Sequence, residues 1–317
     1  MKAIILGKSR DFGSLTVEEI PVPTCGAGEI LIRVLAASIN AADYRSIQMG
    51  IVPRKRIFGA DVAGKVVEVG AGVDGMRVGD EVVADLAGFG FGGFAEFVAA
   101  DVQAFVPKPP ALSFTDAAAI PLAAMTALEA LLWSGFDLTG KDVLIWGASG
   151  GVGTFTVQLA KLFGARVIAV GGAANLPTAL DLGADAVFDY KKPDRPSDGK
   201  ADLIVAIHGN QSLGFYRRYL KSNGRCVVVG GSLRQIFGAM ATAAVRSFGL
   251  QKFGVLSFKA NRDRLSSLLD WAAQGKIRPV IAEVVGLNDV PAKLLYASGG
   301  HASGKIVMRN AAEKTQA

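Results

Sequence analysis

Val143-Leu144-Ile145-Trp146-Gly147-Ala148-Ser149-Gly150-Gly151-Val152-Gly153 is the stretch whose reading decides the fold. Four apolar residues form a strand-like run, glycines turn the chain, and Thr154 to Phe163 continues as a helix up to Gly164, which suits a left-handed C-cap. Arg166 to Val170 is a second buried-looking strand, so the segment is a complete βαβ unit. Such a turn lets the backbone approach a pyrophosphate, while the N–H groups and dipole of the following helix favour the anion. Ala148 stands where the strict G-x-G-x-x-G pattern has its first glycine, but the strand before and the helix after carry the assignment. Gly147, Ser149, Gly150, Gly151, Val152 and Gly153 are therefore expected to hold a dinucleotide.

Outward from this unit, helical stretches such as Asp116 to Trp133 alternate with apolar strand runs at Leu203 to Ile207 and Cys226 to Val229. That alternation predicts an α/β doubly wound parallel sheet. Before it, short β-rich runs (Ala3 to Leu6, Glu29 to Leu35, Val62 to Val69, Glu81 to Ala84, Phe94 to Ala99) predict a compact β-rich domain, closed off by Pro107-Lys108-Pro109-Pro110. After it come an amphipathic helix from about Arg262 to Ala273 and strand-like runs at Val280 to Val285 and Lys305 to Met308, which are expected to rejoin the first domain. The reading divides the chain into 1–115, 116–258 and 259–317, with a frayed tail from 310.

The composition agrees. A chain of 317 residues, half hydrophobic and one fifth charged, is long and apolar enough for two cores and is neither disordered nor a coiled coil. Its 39 glycines, about 12% against a usual ~7%, fit close backbone approaches. The net charge of +6 comes from 34 basic and 28 acidic residues, and its short runs (Arg54-Lys55-Arg56, Lys191-Lys192, Arg217-Arg218) read as solvated surface, so no nucleic acid is expected. Ala117 to Trp133 is interrupted by Pro121, Thr126 and Glu129 and is too short for a membrane span. Two distant cysteines, Cys25 and Cys226, and no signal-peptide core give the expectation of a reducing, cytoplasmic setting.

The choice of dinucleotide turns on the end of the second strand, where an NAD site usually places a carboxylate. Gly171-Gly172-Ala173-Ala174-Asn175 has none, which favours NADPH, with Tyr190, Lys191 and Lys192 as the nearest candidates for the 2′-phosphate.

Further motifs extend the pattern. Ser38-Ile39-Asn40-Ala41-Ala42-Asp43 is similar to an "N-P-x-D" segment. Gly59-Ala60-Asp61-Val62-Ala63-Gly64, with Gly70, Gly72-Val73 and Gly79-Asp80, resembles a glycine signature, and His301-Ala302-Ser303-Gly304-Lys305-Ile306-Val307 resembles a terminal "H-x-x-G-K-V-V" strand. Together with the glycine turn they make nearly the whole chain resemble the medium-chain dehydrogenase/reductase superfamily, in its zinc-independent quinone oxidoreductase branch. The resemblance implies a GroES-like substrate domain built from both chain ends, a Rossmann domain between them, an active-site cleft at their junction, and a homodimer or homotetramer. It adds Thr126, Gly171, Asn175, the Gly230-Gly231-Ser232 turn and Lys305 to the expected cofactor residues. The chain departs from its relatives at Ala206-Ile207-His208-Gly209-Asn210, where "D-x-V-G-G" is common.

Zinc-dependent relatives have a His where this chain has Ala60 and a Cys where it has Asn40. His208, His301, Cys25 and Cys226 lack the spacing of a three-ligand site, so no metal is expected. Without a Lewis acid the hydride acceptor must be electrophilic in itself, as quinones and α,β-unsaturated carbonyls are. Asn40, Tyr44 and Arg45 are the candidate donors to the oxygen that gains charge, whereas Asp43 is expected to fix local structure. A zinc-free enoyl reductase for acyl thioesters and a non-catalytic NADPH-binding sensor or structural protein are the alternative readings.

Overall fold

The computed structural model describes residues 1–192, 196, 200–246, 250–300 and 302–310. The chain divides into two compact units, Met1–Met125 with Lys259–Ala317, and Thr126–Phe258.

The first unit runs through β1 (Lys2–Leu6), β2 (Leu15–Glu19), β3 (Glu29–Ser38), α1 (Ala41–Gln48), β4 (Asp61–Val69), β5 (Glu81–Asp85), β6 (Phe97–Asp101), β7 (Phe105–Pro107), α2 (Phe114–Ala118) and the start of α3 (Pro121–Leu132). The second contains β8 (Asp142–Trp146), α4 (Gly151–Leu162), β9 (Arg166–Gly171), α5 (Leu176–Asp181), β10 (Ala186–Asp189), β11 (Ala201–Ala206), α6 (Leu213–Arg217), β12 (Leu220–Val228), α7 (Leu233–Arg246) and β13 (Lys252–Val255). The chain then returns with α8 (Arg262–Ala273), β14 (Ile281–Val285), α9 (Val290–Ser298) and β15 (Lys305–Arg309).

In the first unit a seven-stranded sheet has the order β14-β15-β3-β4-β5-β7, with β6 also on β3. The last strand reaches back as expected: β15 pairs antiparallel with β3, setting Val307 opposite Ser38. Inward-facing Ile30, Ile32, Val34, Val62, Val66, Val82 and Phe105 fill the core with Phe58 and Phe94. This is the β-rich, GroES-like domain of the sequence reading. Its proline break is closed by Lys108, whose buried ammonium donates to the carbonyls of Pro109 (3.0 Å) and Leu112 (2.6 Å) and pairs with Glu81 at 3.1 Å.

The second unit is a six-stranded, all-parallel sheet of order β10-β9-β8-β11-β12-β13. Strand order reverses between β8 and β11, which makes their C-terminal ends the switch point of a Rossmann sheet. Leu144, Trp146, Ile204, Tyr216, Cys226 and Val228 form one core cluster, and Cys226 is a buried thiol as expected.

Two expectations are corrected. The helix read from Asp116 to Trp133 is two helices, because Pro121 disfavours helical geometry in the residue before it and α3 restarts at the proline. The first boundary falls at 125/126 rather than 115/116. Helix α2 and the first turn of α3 belong to the β-rich unit, where Leu122 N donates to Asp61 Oδ1 at 3.1 Å.

Candidate functional site

Two neighbourhoods carry the polar chemistry, one in each unit. In the parallel-sheet unit, β8 ends at Trp146 and Gly147 turns with φ 97°, a left-handed conformation that glycine adopts without strain. Gly150 is the N-cap of α4, with extended backbone. Thr154 N donates back to the Gly150 carbonyl at 3.0 Å, so the N–H groups of Gly151, Val152 and Gly153 before it have no partner in their own helix. The turn's glycines serve different purposes. A Cβ on Gly153 would run into the Gly147 carbonyl and the Ala148 backbone at 2.7 Å, so that glycine permits helix and strand to pack. A Cβ on Gly150 would meet nothing within 4 Å, so there the absent side chain leaves space above a helix N-terminus. Such a space at a helix N-terminus, whose first N–H groups have no partner in the helix itself, fits a pyrophosphate.

The expected specificity residues gather at the ends of β9 and β10. Asp189 of β10 lies opposite Gly171, and Tyr190 N donates to the Gly171 carbonyl at 3.2 Å. A Cβ on Gly171 would come 2.5 Å from Ser149 Oγ, and one on Gly172 3.6 Å from the Tyr190 ring. Lys191 Nζ lies 5.8 Å from the centre of that half-exposed ring. Asn175 closes a short 3₁₀ turn by donating its N–H to the Gly172 carbonyl. Gly230 and Gly231 follow β12, and Thr126 is buried within α3.

In the β-rich unit, Asn40 precedes α1 and is buried. Its amide Nδ2 donates to the Ser38 carbonyl (3.1 Å) and to Asp61 Oδ2 (2.9 Å), and its Oδ1 accepts from Lys305 Nζ at 2.5 Å. Lys305 also donates to the Ile39 carbonyl (3.1 Å) and faces Asp61 Oδ2 at 3.8 Å, with 3% of its side chain exposed. Asp43 accepts from the backbone N–H groups of Asn40 (2.8 Å), Gly59 (3.0 Å) and Ala60 (3.1 Å), which makes it the structural residue the sequence suggested. Burial pushes its carboxyl up to about 7 against the pull of those donors.

Register brings a third carboxylate in: Asp85 of β5 sits directly across from Asp61 of β4. Asp85 Oδ1 accepts from Ala87 N at 2.9 Å, while its buried Oδ2 has no hydrogen-bond partner. Desolvation, and then the charge of Asp61, raise the Asp85 carboxyl to about 7. Burial likewise raises Asp61 and lowers Lys305, and each is pulled back by the other's charge.

This geometry bears on two sequence assignments. Both N–H groups of Asn40 are engaged inside the cluster, so it orients its neighbours instead of donating to a substrate oxygen. Lys305, expected at the cofactor, is directed to Asn40, Ile39 and Asp61 within its own unit. Tyr44 and Arg45 lie on α1 with partly exposed side chains, and burial followed by the charge of Asp43 outweighs Arg45 to hold the Tyr44 phenol above its ordinary range. His208 is exposed at the end of β11, and His301 lies outside the described residues. Asp61 and Asp85 were not singled out as site residues; the one signal was a carboxylate at one terminus of each strand, Asp61 before Val62-Ala63 and Asp85 after Val82-Val83-Ala84.

Comparison with known proteins identifies the family. Residues 26–110 match the alcohol dehydrogenase GroES-like domain and residues 182–308 the zinc-binding dehydrogenase family. The chain is 36% identical over 308 residues to the chloroplast envelope quinone oxidoreductase homolog of Arabidopsis thaliana, covering 92% of each chain. It is 31% identical to the NADPH-dependent alkenal/one oxidoreductase of the same plant, over 94% of this chain and 77% of that one. A solved NAD-dependent alcohol dehydrogenase superposes with a TM-score of 0.84 at 30% identity, over 98% of this chain and 100% of its own. The fold and the glycine turn define an oxidoreductase of a family that uses a nicotinamide dinucleotide. The chain belongs to the medium-chain dehydrogenase/reductase superfamily, in its quinone oxidoreductase branch.

Proposed function

We propose that this enzyme reduces quinones or α,β-unsaturated carbonyls with NADPH and needs no metal. The observation that carries the metal-free reading is the Asn40–Lys305 pair. Where zinc-dependent relatives have a thiolate ligand this chain has an amide, and the oxygen of that amide already accepts from a buried ammonium. Zn²⁺ takes three His, Cys or carboxylate ligands, and a cation beside a fixed cation in a poorly screened interior is unfavourable.

The bound nicotinamide would supply the hydride. The chain's own part begins with the N–H groups of Gly151, Val152 and Gly153, which would hold the pyrophosphate, Gly150 leaving space for it. Ser149, Gly171 and Asn175 would line the ribose side, where residues 171–175 carry no carboxylate to repel a 2′-phosphate, Asp189 accepts from Lys191 N at 3.0 Å, and Lys191 beside Tyr190 offers a cation. Thr126, Gly230 and Gly231 complete the cofactor's surroundings. The Tyr44 phenol stays protonated at neutral pH and is the donor to the oxygen that gains charge, with Arg45 adding positive potential. The NADPH preference is supported by the Arabidopsis alkenal/one oxidoreductase, while the NAD-dependent dehydrogenase makes it a matter for titration. The two thiols form no disulfide, in keeping with a reducing compartment such as the cytoplasm, and the family resemblance supports a homodimer or homotetramer as the assembly.

The test is NADPH oxidation monitored with a panel of quinones, enones and enoyl thioesters, before and after prolonged chelation. Turnover of quinones or enones undiminished by chelation is expected. Activity abolished by chelators and restored by zinc would overturn the metal-free reading, and turnover confined to enoyl thioesters would overturn the acceptor class.

A further inference from the structure

The loops after β11 and β12 are tied together by one side chain. Gln235, near the start of α7, is 4% exposed. Its Oε1 accepts from Gln211 N (2.8 Å) and from the Tyr216 hydroxyl (3.3 Å), and its Nε2 donates to the Gly230 carbonyl (2.8 Å). Ser232 adds a second tie: its Oγ donates to Asn210 Oδ1 (2.8 Å) and accepts from Gln235 N (3.1 Å), while its own N–H donates to the Gly209 carbonyl (2.9 Å).

The stapled loops are fixed in turn to the strand that carries the phosphate turn. Ile207 N and His208 N donate to the Trp146 carbonyl at 2.8 and 3.2 Å. A Cβ on Gly231, where φ is 100°, would lie 2.5 Å from Gln235 Nε2 and 2.6 Å from the Gly209 carbonyl, so loop and amide are fitted to each other. The C-terminal ends of β8, β11 and β12 are thereby one hydrogen-bonded edge.

In a doubly wound sheet each half of the strand order holds one mononucleotide, and the two meet at the switch point. The ends of β9 and β10 take the adenosine half, whose ribose lies where a carboxylate or 2′-phosphate partner is placed. The nicotinamide half falls to the ends of β11 and β12. We infer that Gln235 is a positioning residue for that half: it holds the backbone of residues 209–211 and 230–231 in the arrangement that receives the nicotinamide mononucleotide, without touching it. The inference rests on the cofactor reading above. An apolar residue of equal size would leave the Gly230 carbonyl and Gln211 N–H without these partners, and the loops would satisfy them in other conformations.

The experiment titrates NADPH and adenosine 2′,5′-bisphosphate, which carries the adenosine half alone, into the parent enzyme, Gln235→Met and Ser232→Ala, alongside thermal denaturation. Gln235→Met should weaken NADPH about tenfold or more and leave the bisphosphate within about twofold of the parent, a split that general loosening would not produce. Exposed Ser232→Ala, which leaves the packing intact, should weaken NADPH about threefold. NADPH affinity unchanged in Gln235→Met, or both ligands weakened equally, overturns the inference. Should Gln235→Met not fold, unchanged NADPH affinity in Ser232→Ala overturns it. A parent enzyme that binds neither ligand overturns the cofactor reading itself and the inference with it.

Discussion

The polar neighbourhood around Asn40 and the glycine turn at Gly147 to Gly153 solve opposite problems. The first is closed: Asp43, Asp61, Asp85, Asn40 and Lys305 are all buried and, except for one oxygen of Asp85, their polar side-chain atoms are engaged. The second is open at Gly150, where a Cβ would meet nothing within 4 Å, and its polarity is that of main-chain N–H groups with no partner in their own helix. Charge that must never meet a ligand is matched by side chains and locked in place. Charge that must meet one is supplied by the backbone, which cannot swing away.

Removing the cation should test the closed half most severely. Lys305→Met keeps the bulk but leaves Asp61 and Asn40 without their partner, and breaking a buried pair costs roughly 3 to 5 kcal/mol, read by chemical denaturation. A stability within about 1 kcal/mol of the parent would mean that the cluster is not held by its charge. In the open half, Gly150→Val should leave the melting temperature near that of the parent and weaken NADPH about a hundredfold or more, because the side chain occupies the anion's space. Gly153→Ala should do the reverse, losing stability even without cofactor, because its Cβ meets backbone. If both glycine variants behaved alike, the division of labour within the turn would be wrong.

Smaller effects sharpen the comparison. The Asp85 carboxyl holds its proton up to about 7 in the folded chain, whereas its ordinary value is 3.8. The folded state therefore binds more protons between these values, and stability falls as pH rises from about 4 to about 7, then levels off. Asp85→Asn should flatten part of that slope and stabilise the protein at pH 8 by roughly 1 to 3 kcal/mol. A variant less stable than the parent at pH 8 would show that the ionised carboxylate is matched after all. The smallest change is Gly171→Asp, which should shift preference toward NADH about tenfold by repelling the 2′-phosphate, once the Ser149 hydroxyl rotates out of its way. Parent enzyme that binds NADH as tightly as NADPH would remove the basis of that prediction.

The open half was legible in the sequence because its determinants are local. Strand, glycine turn and helix lie within one unbroken stretch, and the buried strands of a parallel sheet read as continuous apolar runs. The closed half was legible only in part. Asp61 and Asp85 meet through a strand register, and Lys305 meets Asn40 across a separation of 265 residues, so no window of sequence contains the cluster. For the same reason Asn40 read as a donor with free N–H groups. Gln235 gave no signal because a glutamine near a helix start ordinarily faces water. The break in the Asp116 to Trp133 helix was written plainly at Pro121, where apolar periodicity was given more weight than the proline.

The partnership of Lys305 with Asn40 also sets an order of events during synthesis. The segment Thr126–Phe258 is continuous and leaves the ribosome whole, able to build its parallel sheet at once. The unit begun by Met1 must wait: β3 lacks its β15 partner, and Asp61 its ammonium, until residues 305–309 emerge. The first part of the chain to be made is thus the last to be finished, and a nascent chain stalled before Lys305 carries buried acids with no counter-charge. Such a chain offers quality-control proteases a half-built sheet beside a completed one.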